Sequence, residues 1–274
     1  MQLFTPVALP PAPFRLTPAS RVLTLGSCFA QHIGQHIAAA LPDGHALVNP
    51  FGPLYAPQVI AHHLRLLLDT APLPDATYFE GVEGMWHNRW FSTHVSSVEL
   101  ATCRRLTTDA LSAARELLRR ADVLVLTLGT DRCYRLPDGR LVANCHKQPA
   151  ATFTEHAADV ETLTSDLRRA LDGLRALRPE LQVVWTVSPY RYAKYGLHAS
   201  QLAKARLLLA VDALCATDER SVYFPAYELL LDELRDYRYY ARDLLHPSDT
   251  AVELIGERFA DWCFAPALHT FARE

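Results

Sequence analysis

Three apolar runs constrain this chain more than any other feature: Val22-Leu-Thr-Leu25, Ala121-Asp-Val-Leu-Val-Leu-Thr-Leu128 and Leu181-Gln-Val-Val-Trp-Thr-Val187. Each is followed by a small residue, Gly26, Gly129 or Ser188, and the second is apolar on both faces. Strands of that kind belong to parallel sheets covered by helices on either side. His45-Ala-Leu-Val-Asn49 and Ser221-Val-Tyr-Phe224 read as two shorter strands of the same sheet. Between them the apolar spacing predicts helices over Phe29–Leu41, Ala56–Asp69, Leu106–Arg120, Thr154–Arg178, Ala199–Ala216, Ala226–Arg235 and Thr250–Phe264. Strand and helix alternating in this way imply right-handed crossovers and a site at the carboxyl ends of the strands. The expected fold is α/β, a three-layer sandwich around a central, mostly parallel five-stranded sheet.

A chain of 274 residues, half of them hydrophobic, has the material for one such domain, and no repeat or linker divides it. Prolines at 6, 10, 11 and 13 mark residues 1–20 as an extended N-terminal arm. Aromatic residues and glycines mingle without a helical period over 77–97, which reads as a strand-and-loop insertion. Pro137-Asp-Gly-Arg140 signals a hairpin turn inside a second insertion, 131–150, on the same side of the sheet.

A formal net charge of −3 gives no basis for a nucleic-acid partner, and no window is apolar and long enough to span a membrane. Six cysteines at wide, irregular spacing read as reduced thiols, which with the absence of a leader pattern suits a cytoplasmic protein. His32 with His36, and His62 with His63, lack the further ligands a metal site requires. The expected chemistry uses neither metal nor cofactor.

Gly26-Ser27 breaks the first strand and opens a helix. Glycine permits the sharp reversal, and the helix directs its free N–H groups and dipole at whatever Ser27 attacks. Far along the chain, Asp243-Leu-Leu-His246-Pro247-Ser248 places an acid and an imidazole on one side of a turn, with Ser248 or Asp249 capping the next helix. Asp243 orients His246, and His246 takes the proton of Ser27. Cys28 is the rival nucleophile, although it opens the helix beside Phe29 as if packing inward.

Gly26-Ser27-Cys28-Phe29-Ala30 resembles the signature of the GSCFA family, which is similar to the SGNH (GDSL-like) hydrolases. The resemblance continues through Asn49-Pro-Phe-Gly52, Thr127-Leu-Gly-Thr130, Asn144-Cys-His-Lys147, Thr186-Val-Ser-Pro189, Phe224–Glu228, Asp232–Tyr237 and Asp243–Pro247. It implies a flavodoxin-like sandwich with Ser27 as nucleophile and Asp243 with His246 as its partners. It also implies an oxyanion hole drawing on the N–H groups of Ser27 and Gly52. Where SGNH enzymes follow the block III glycine with one residue and then asparagine, this chain reads Gly129-Thr-Asp-Arg132, so Thr130, Asn144 or a backbone N–H takes the third place. Losing one such donor outright costs roughly a hundredfold in rate.

Asn49 and Phe51, at a strand end, and Tyr134, His146 and Lys147, on the hairpin, are the candidate substrate contacts. The implied activity is serine ester hydrolysis or O-acyl transfer through an acyl-enzyme, on a small ester such as an acylated carbohydrate or lipid. A non-catalytic carbohydrate- or lipid-binding relative is the alternative, and the oligomeric state is open.

Overall fold

Strand and helix do alternate as the apolar runs require. The computed structural model describes residues 5–271. Its first half runs β1 (Val22–Gly26), α1 (Cys28–Ala40), β2 (Ala46–Val48), α2 (Pro57–Leu68), β3 (Tyr78–Glu80), β4 (Trp86–Asn88), α3 (Leu100–Leu118) and β5 (Val123–Leu128). It continues through β6 (Arg132–Arg135), β7 (Leu141–Val142), β8 (Thr154–Ala157), α4 (Val160–Leu177), β9 (Gln182–Val187), α5 (Leu197–Cys215) and β10 (Ser221–Tyr223). A short turn of helix, α6 (Ala226–Glu228), leads to α7 (Asp249–Cys263) and α8 (Pro266–Phe271).

The five-stranded sheet has the order β10-β9-β5-β1-β2, and each adjacent pair is parallel. In chain order that is the 2-1-3-4-5 arrangement of flavodoxin-like folds. Connections leave β1 and β5 toward opposite sides of the sheet, so a crevice opens between the carboxyl ends of these two strands. Ser27 follows β1 and Gly129 follows β5. The topology therefore puts both at the place where such sheets bind ligands.

Successive residues of the strands point to opposite faces and divide the core into two layers. Leu23, Leu25, Leu124, Leu126, Val183 and Trp185 pack with apolar residues of α2, α3, α4 and α5. Val22, Val123, Val125 and Val184 pack on the other side with Ile33, Ile37, Ile255, Phe259 and Leu268 of α1, α7 and α8. This is the expected three-layer sandwich.

Several local expectations are corrected. The predicted helix 154–178 starts later, because Asp159 caps it by accepting the Thr162 N–H at 2.8 Å. Thr154–Ala157 instead forms β8, which pairs antiparallel with β6, while β7 pairs on the other side of β6. The hairpin thus becomes a three-stranded sheet, with Glu155 opposite Tyr134 in it. The third helix begins at Leu100 rather than Leu106, because its early turns bury Cys103 and Thr107. β2 is a half-buried edge strand. The helix expected over 226–235 is one α-turn followed by a π-turn at Leu229–Glu233.

The first four residues of the predicted arm lie outside the described residues. The rest of the arm lies against α7: Trp262 Nε1 donates to the Pro10 carbonyl at 2.6 Å, and the Leu16 N–H donates to that of Cys263 at 2.7 Å. The insertion 77–97 carries the β3–β4 hairpin. Among the described residues, no helix is long and apolar enough to cross a membrane.

Candidate active site

Gly26 is what lets β1 stop where it does. Its φ of +143° lies outside the range side chains favour, and an added Cβ would stand 2.3 Å from the Thr127 carbonyl oxygen of the neighbouring strand. Ser27 follows at the N-cap of α1, 1 % exposed, its Oγ accepting the Phe29 N–H at 3.3 Å. The expected helix cap and the expected nucleophile are therefore the same hydroxyl.

A cavity of about 160 Å³ opens over Ser27, and its wall includes Tyr55, Thr130, Tyr190, Tyr192 and His246. His246 reaches it from a tight loop that starts at Asp243. One carboxylate oxygen of Asp243 accepts the N–H groups of Leu245 and His246, at 2.9 and 3.0 Å. The other lies 2.5 Å from His246 Nδ1. These bonds, the two to His246 foremost, hold the Asp243 carboxyl down to about 2, so it is an anion at neutral pH. An anionic partner requires that Nδ1 carry the proton, which leaves Nε2 as the basic nitrogen of the neutral ring. Leu244, between them, has a φ of +58°, an uncommon state for a leucine that the closed loop imposes. Outside the loop, the Arg191 N–H donates to the Leu245 carbonyl at 3.0 Å, and the Tyr190 ring stacks 4.4 Å from the imidazole.

Ser27 and His246 thus face one space, while the hydrogen bond made by Ser27 Oγ is to Phe29. Serine–histidine bonds commonly tighten only around a substrate. The two partners differ sharply in exposure: the His246 and Asp243 side chains are 48 % and 45 % accessible, against the buried serine.

The expected oxyanion donors are mostly engaged elsewhere. The Ser27 N–H donates to the Thr127 carbonyl at 3.0 Å, extending the β1–β5 ladder. The Gly52 N–H donates to the Asn49 carbonyl at 2.8 Å, closing a turn, and Gly52 does not line the cavity. Its φ of +79° and a Cβ position 2.3 Å from Ser92 Cβ explain the glycine without any catalytic duty. Thr130 does line the cavity, and its Oγ1 accepts the Arg132 N–H at 3.4 Å, a bond that leaves the hydroxyl hydrogen unused. Asp131 is fully buried and faces Arg206 at 2.6 Å. A carboxylate held in that way has no hydrogen to donate.

Other expected contacts are redistributed. Asn49 is buried and braces the Gly26-Ser27 turn, its Nδ2 donating to the Ser27 carbonyl at 3.2 Å. Phe51 is a core residue, edge-on to Phe91 at 5.4 Å. His146 is buried against His87, ring centroids 4.4 Å apart, and its Nε2 lies 3.0 Å from the Asn88 carbonyl. Lys147 is exposed and borders neither this cavity nor its neighbour. Asn49 and His146 are thus taken up by backbone carbonyls of neighbouring loops, Phe51 by the core and Lys147 by solvent. Tyr134 and Asn144 do reach a cavity, but the adjoining one of about 320 Å³, which shares Tyr55, Thr130 and Tyr192 with the first.

Cys28 also differs from expectation, since it lines the Ser27 cavity instead of packing inward. Burial pushes its thiol up, outweighing the nearby Phe29 and Cys28 N–H groups and the charge of Lys204. A protonated thiol is a poor nucleophile.

The residues that sequence reasoning missed are Tyr55, Ser188, Tyr190 and Tyr192. Ser188, Tyr190 and Tyr192 follow β9, and a strand's carboxyl end was already the signal. The last two sit on a loop tied to the small sheet, where Lys194 Nζ donates to Glu155 at 2.8 Å and to the Tyr134 hydroxyl at 2.9 Å. The Tyr195 hydroxyl also donates to Glu155.

A sequence-family model described as the GSCFA family matches residues 21–259. No curated protein matches the sequence. Among solved structures, the chain is similar to a carbohydrate esterase family 3 protein from Talaromyces cellulolyticus, with 10 % identity, TM-score 0.43 and coverage of 93 % of this chain and 98 % of the other. It is similar to a mutant acetyl esterase with acetate ion, with 10 % identity, TM-score 0.42 and the same coverages, 93 % and 98 %. An acetyl xylan esterase from Butyrivibrio proteoclasticus follows at 13 % identity and TM-score 0.42, over 89 % of this chain and 63 % of that one.

Proposed function

The chain belongs to the GSCFA family, and from that premise we propose a serine-dependent ester hydrolase or O-acyltransferase acting on small acyl esters. One observation carries the reading: a buried serine at a strand end and an imidazole held by an ionised aspartate line a single cavity. Ser27 Oγ adds to the ester carbonyl while His246 Nε2 takes its proton. Thr130 donates to the oxyanion. The tetrahedral intermediate collapses, the alkoxide leaves with the proton from His246, and Ser27 holds the acyl group. Water, or an acceptor alcohol, then attacks with His246 as base, and the Oγ–acyl bond breaks.

A volume of about 160 Å³ suits a short acyl group. The adjoining cavity, with Tyr134, Arg132 and Asn144, suits a larger polar alcohol portion, such as that of an acylated carbohydrate.

A second reading has its own support. The engaged N–H groups of Ser27 and Gly52 fit a module that binds an acylated ligand without turning it over. A fluorophosphonate probe separates the two. Labelling that survives Cys28→Ala and disappears in Ser27→Ala supports catalysis, and an inert native chain overturns it. Following p-nitrophenyl acetate with and without sugar or amino-alcohol acceptors then divides hydrolysis from transfer.

A further inference from the structure

The buried stripe of α5 reads Ser200, Ala203, Lys204, Leu207, Ala210, Val211 and Leu214. A lysine has no ordinary place there. Lys204 is 2 % exposed, and moving an ammonium out of water costs several kcal/mol unless its hydrogens are received by good acceptors. The acceptors are specific. Nζ donates to the Gly129 carbonyl at 2.7 Å and to the Ser188 carbonyl at 2.8 Å.

Those two oxygens belong to the residues that directly follow β5 and β9. A parallel sheet leaves carbonyls without partners at its carboxyl end, and buried carbonyls require partners. Around this rim the accounting closes with distinct groups: the Leu54 N–H meets the Gly26 carbonyl at 2.7 Å, and the Ser27 N–H meets that of Thr127. The β5–β9 ladder continues through the Ser188 N–H to the Leu128 carbonyl at 2.8 Å and stops. Beyond that point one side chain joins both strand ends. Gly129 and Ser188 both line the cavity that holds Ser27 and His246, and Thr130 follows Gly129 directly.

We propose that Lys204 is a positioning residue for acyl transfer: by clamping the Gly129 and Ser188 carbonyls it fixes the cavity floor, and with it the Thr130 donor, against Ser27. Apolar packing alone would hold the helix against the sheet, and elsewhere on this rim backbone N–H groups meet the strand-end carbonyls, as Leu54 meets Gly26. The lysine is explained by the site and not by the core. Its neighbour Asp131 does not account for it, because that carboxylate is paired with Arg206 and, more loosely, with Arg132 at 3.9 Å. The inference rests on the serine-esterase reading above and deepens it.

The test compares the native chain with Lys204→Met and Lys204→Gln, reading fluorophosphonate labelling rate, kcat and KM for p-nitrophenyl acetate, and thermal unfolding. Lys204→Met keeps the length of the side chain and removes the donors. Its kcat is expected to fall roughly tenfold to a hundredfold, as displacement of reacting groups by an ångström does, with KM nearly unchanged. Its melting temperature reports the balance between two orphaned carbonyls and the removal of a buried charge, and is read separately from kcat. Lys204→Gln, whose amide nitrogen can donate to both carbonyls, is expected to recover part of the rate. A folded Lys204→Met with native labelling and kcat overturns the clamp. So does a Lys204→Gln that is no faster than a folded Lys204→Met. If Lys204→Met does not fold, Lys204→Gln decides: a folded chain with native kcat and lowered melting temperature overturns the proposal, and a reduced kcat at unchanged KM supports it. A native chain inert to both probe and ester fails the esterase reading itself, a result visible before any variant is made.

Discussion

Asp243 grips His246 at two points: one carboxylate oxygen takes its backbone N–H at 3.0 Å, and the other meets Nδ1 of its ring at 2.5 Å. Loop geometry and ring tautomer are therefore set by one side chain. Asp243→Asn keeps the shape but lets the amide donate to Nδ1, which places the ring proton on Nε2. A fall in kcat of roughly a hundredfold to ten-thousandfold at neutral pH is expected, with the fold retained. Circular dichroism alongside steady-state kinetics checks both halves.

The nucleophile assignment separates two adjacent side chains that share one cavity. Ser27→Ala is expected to lose activity by roughly a thousandfold or more. Cys28→Ala is expected to stay within about threefold of the native rate, because a thiol raised by burial carries little thiolate. Mass spectrometry of the labelled chain places the adduct on one residue or the other.

Lys204 also makes a prediction about stability. Burial holds its ammonium down to about 7, against an ordinary value of 10.5. Between those pH values the unfolded chain binds one more proton at this site than the folded chain does. Stability is therefore expected to rise with pH through that window, by at most about 1.4 kcal/mol per pH unit, and to be unaffected by this group below it. Urea unfolding of native chain and Lys204→Met across the window checks the sign: the stability of the native chain relative to the variant should rise with pH.

Gly26→Ala is expected to destabilise the fold by about 3 kcal/mol or more, since it adds backbone strain to a collision with the Thr127 carbonyl. Ser27 would be displaced with it. Chemical denaturation measures the loss, and a variant as stable as the native chain contradicts the geometry.

The roof of the cleft is fastened by Lys194 to Glu155. A half-exposed ion pair is worth up to about 1 kcal/mol, so Glu155→Gln is expected to raise KM by about fivefold at most, with little change in kcat. Rising salt should mimic part of the effect on the native chain and less on the variant.

The sheet was legible because unbroken apolar runs permit few arrangements, and the rim followed because every parallel strand ends at one edge. The Gly26-Ser27 turn and the Asp243–His246 pair were legible because both are local: a helix cap and a contact between residues three apart. β8 was misread as helix because its polar residues carry no periodic signature until β6 lies beside them. Gly52, Phe51 and His146 were misplaced for a related reason. Sequence names the donors and rings a loop brings but not the partners that consume them. Those partners come from distant strands and helices, as when Thr127 takes the Ser27 N–H and Lys204 takes two strand-end carbonyls. Chain pattern thus determined where a site can form, and tertiary packing decided which polar groups remain free to meet a ligand there, because each buried donor and acceptor must be matched across the whole fold.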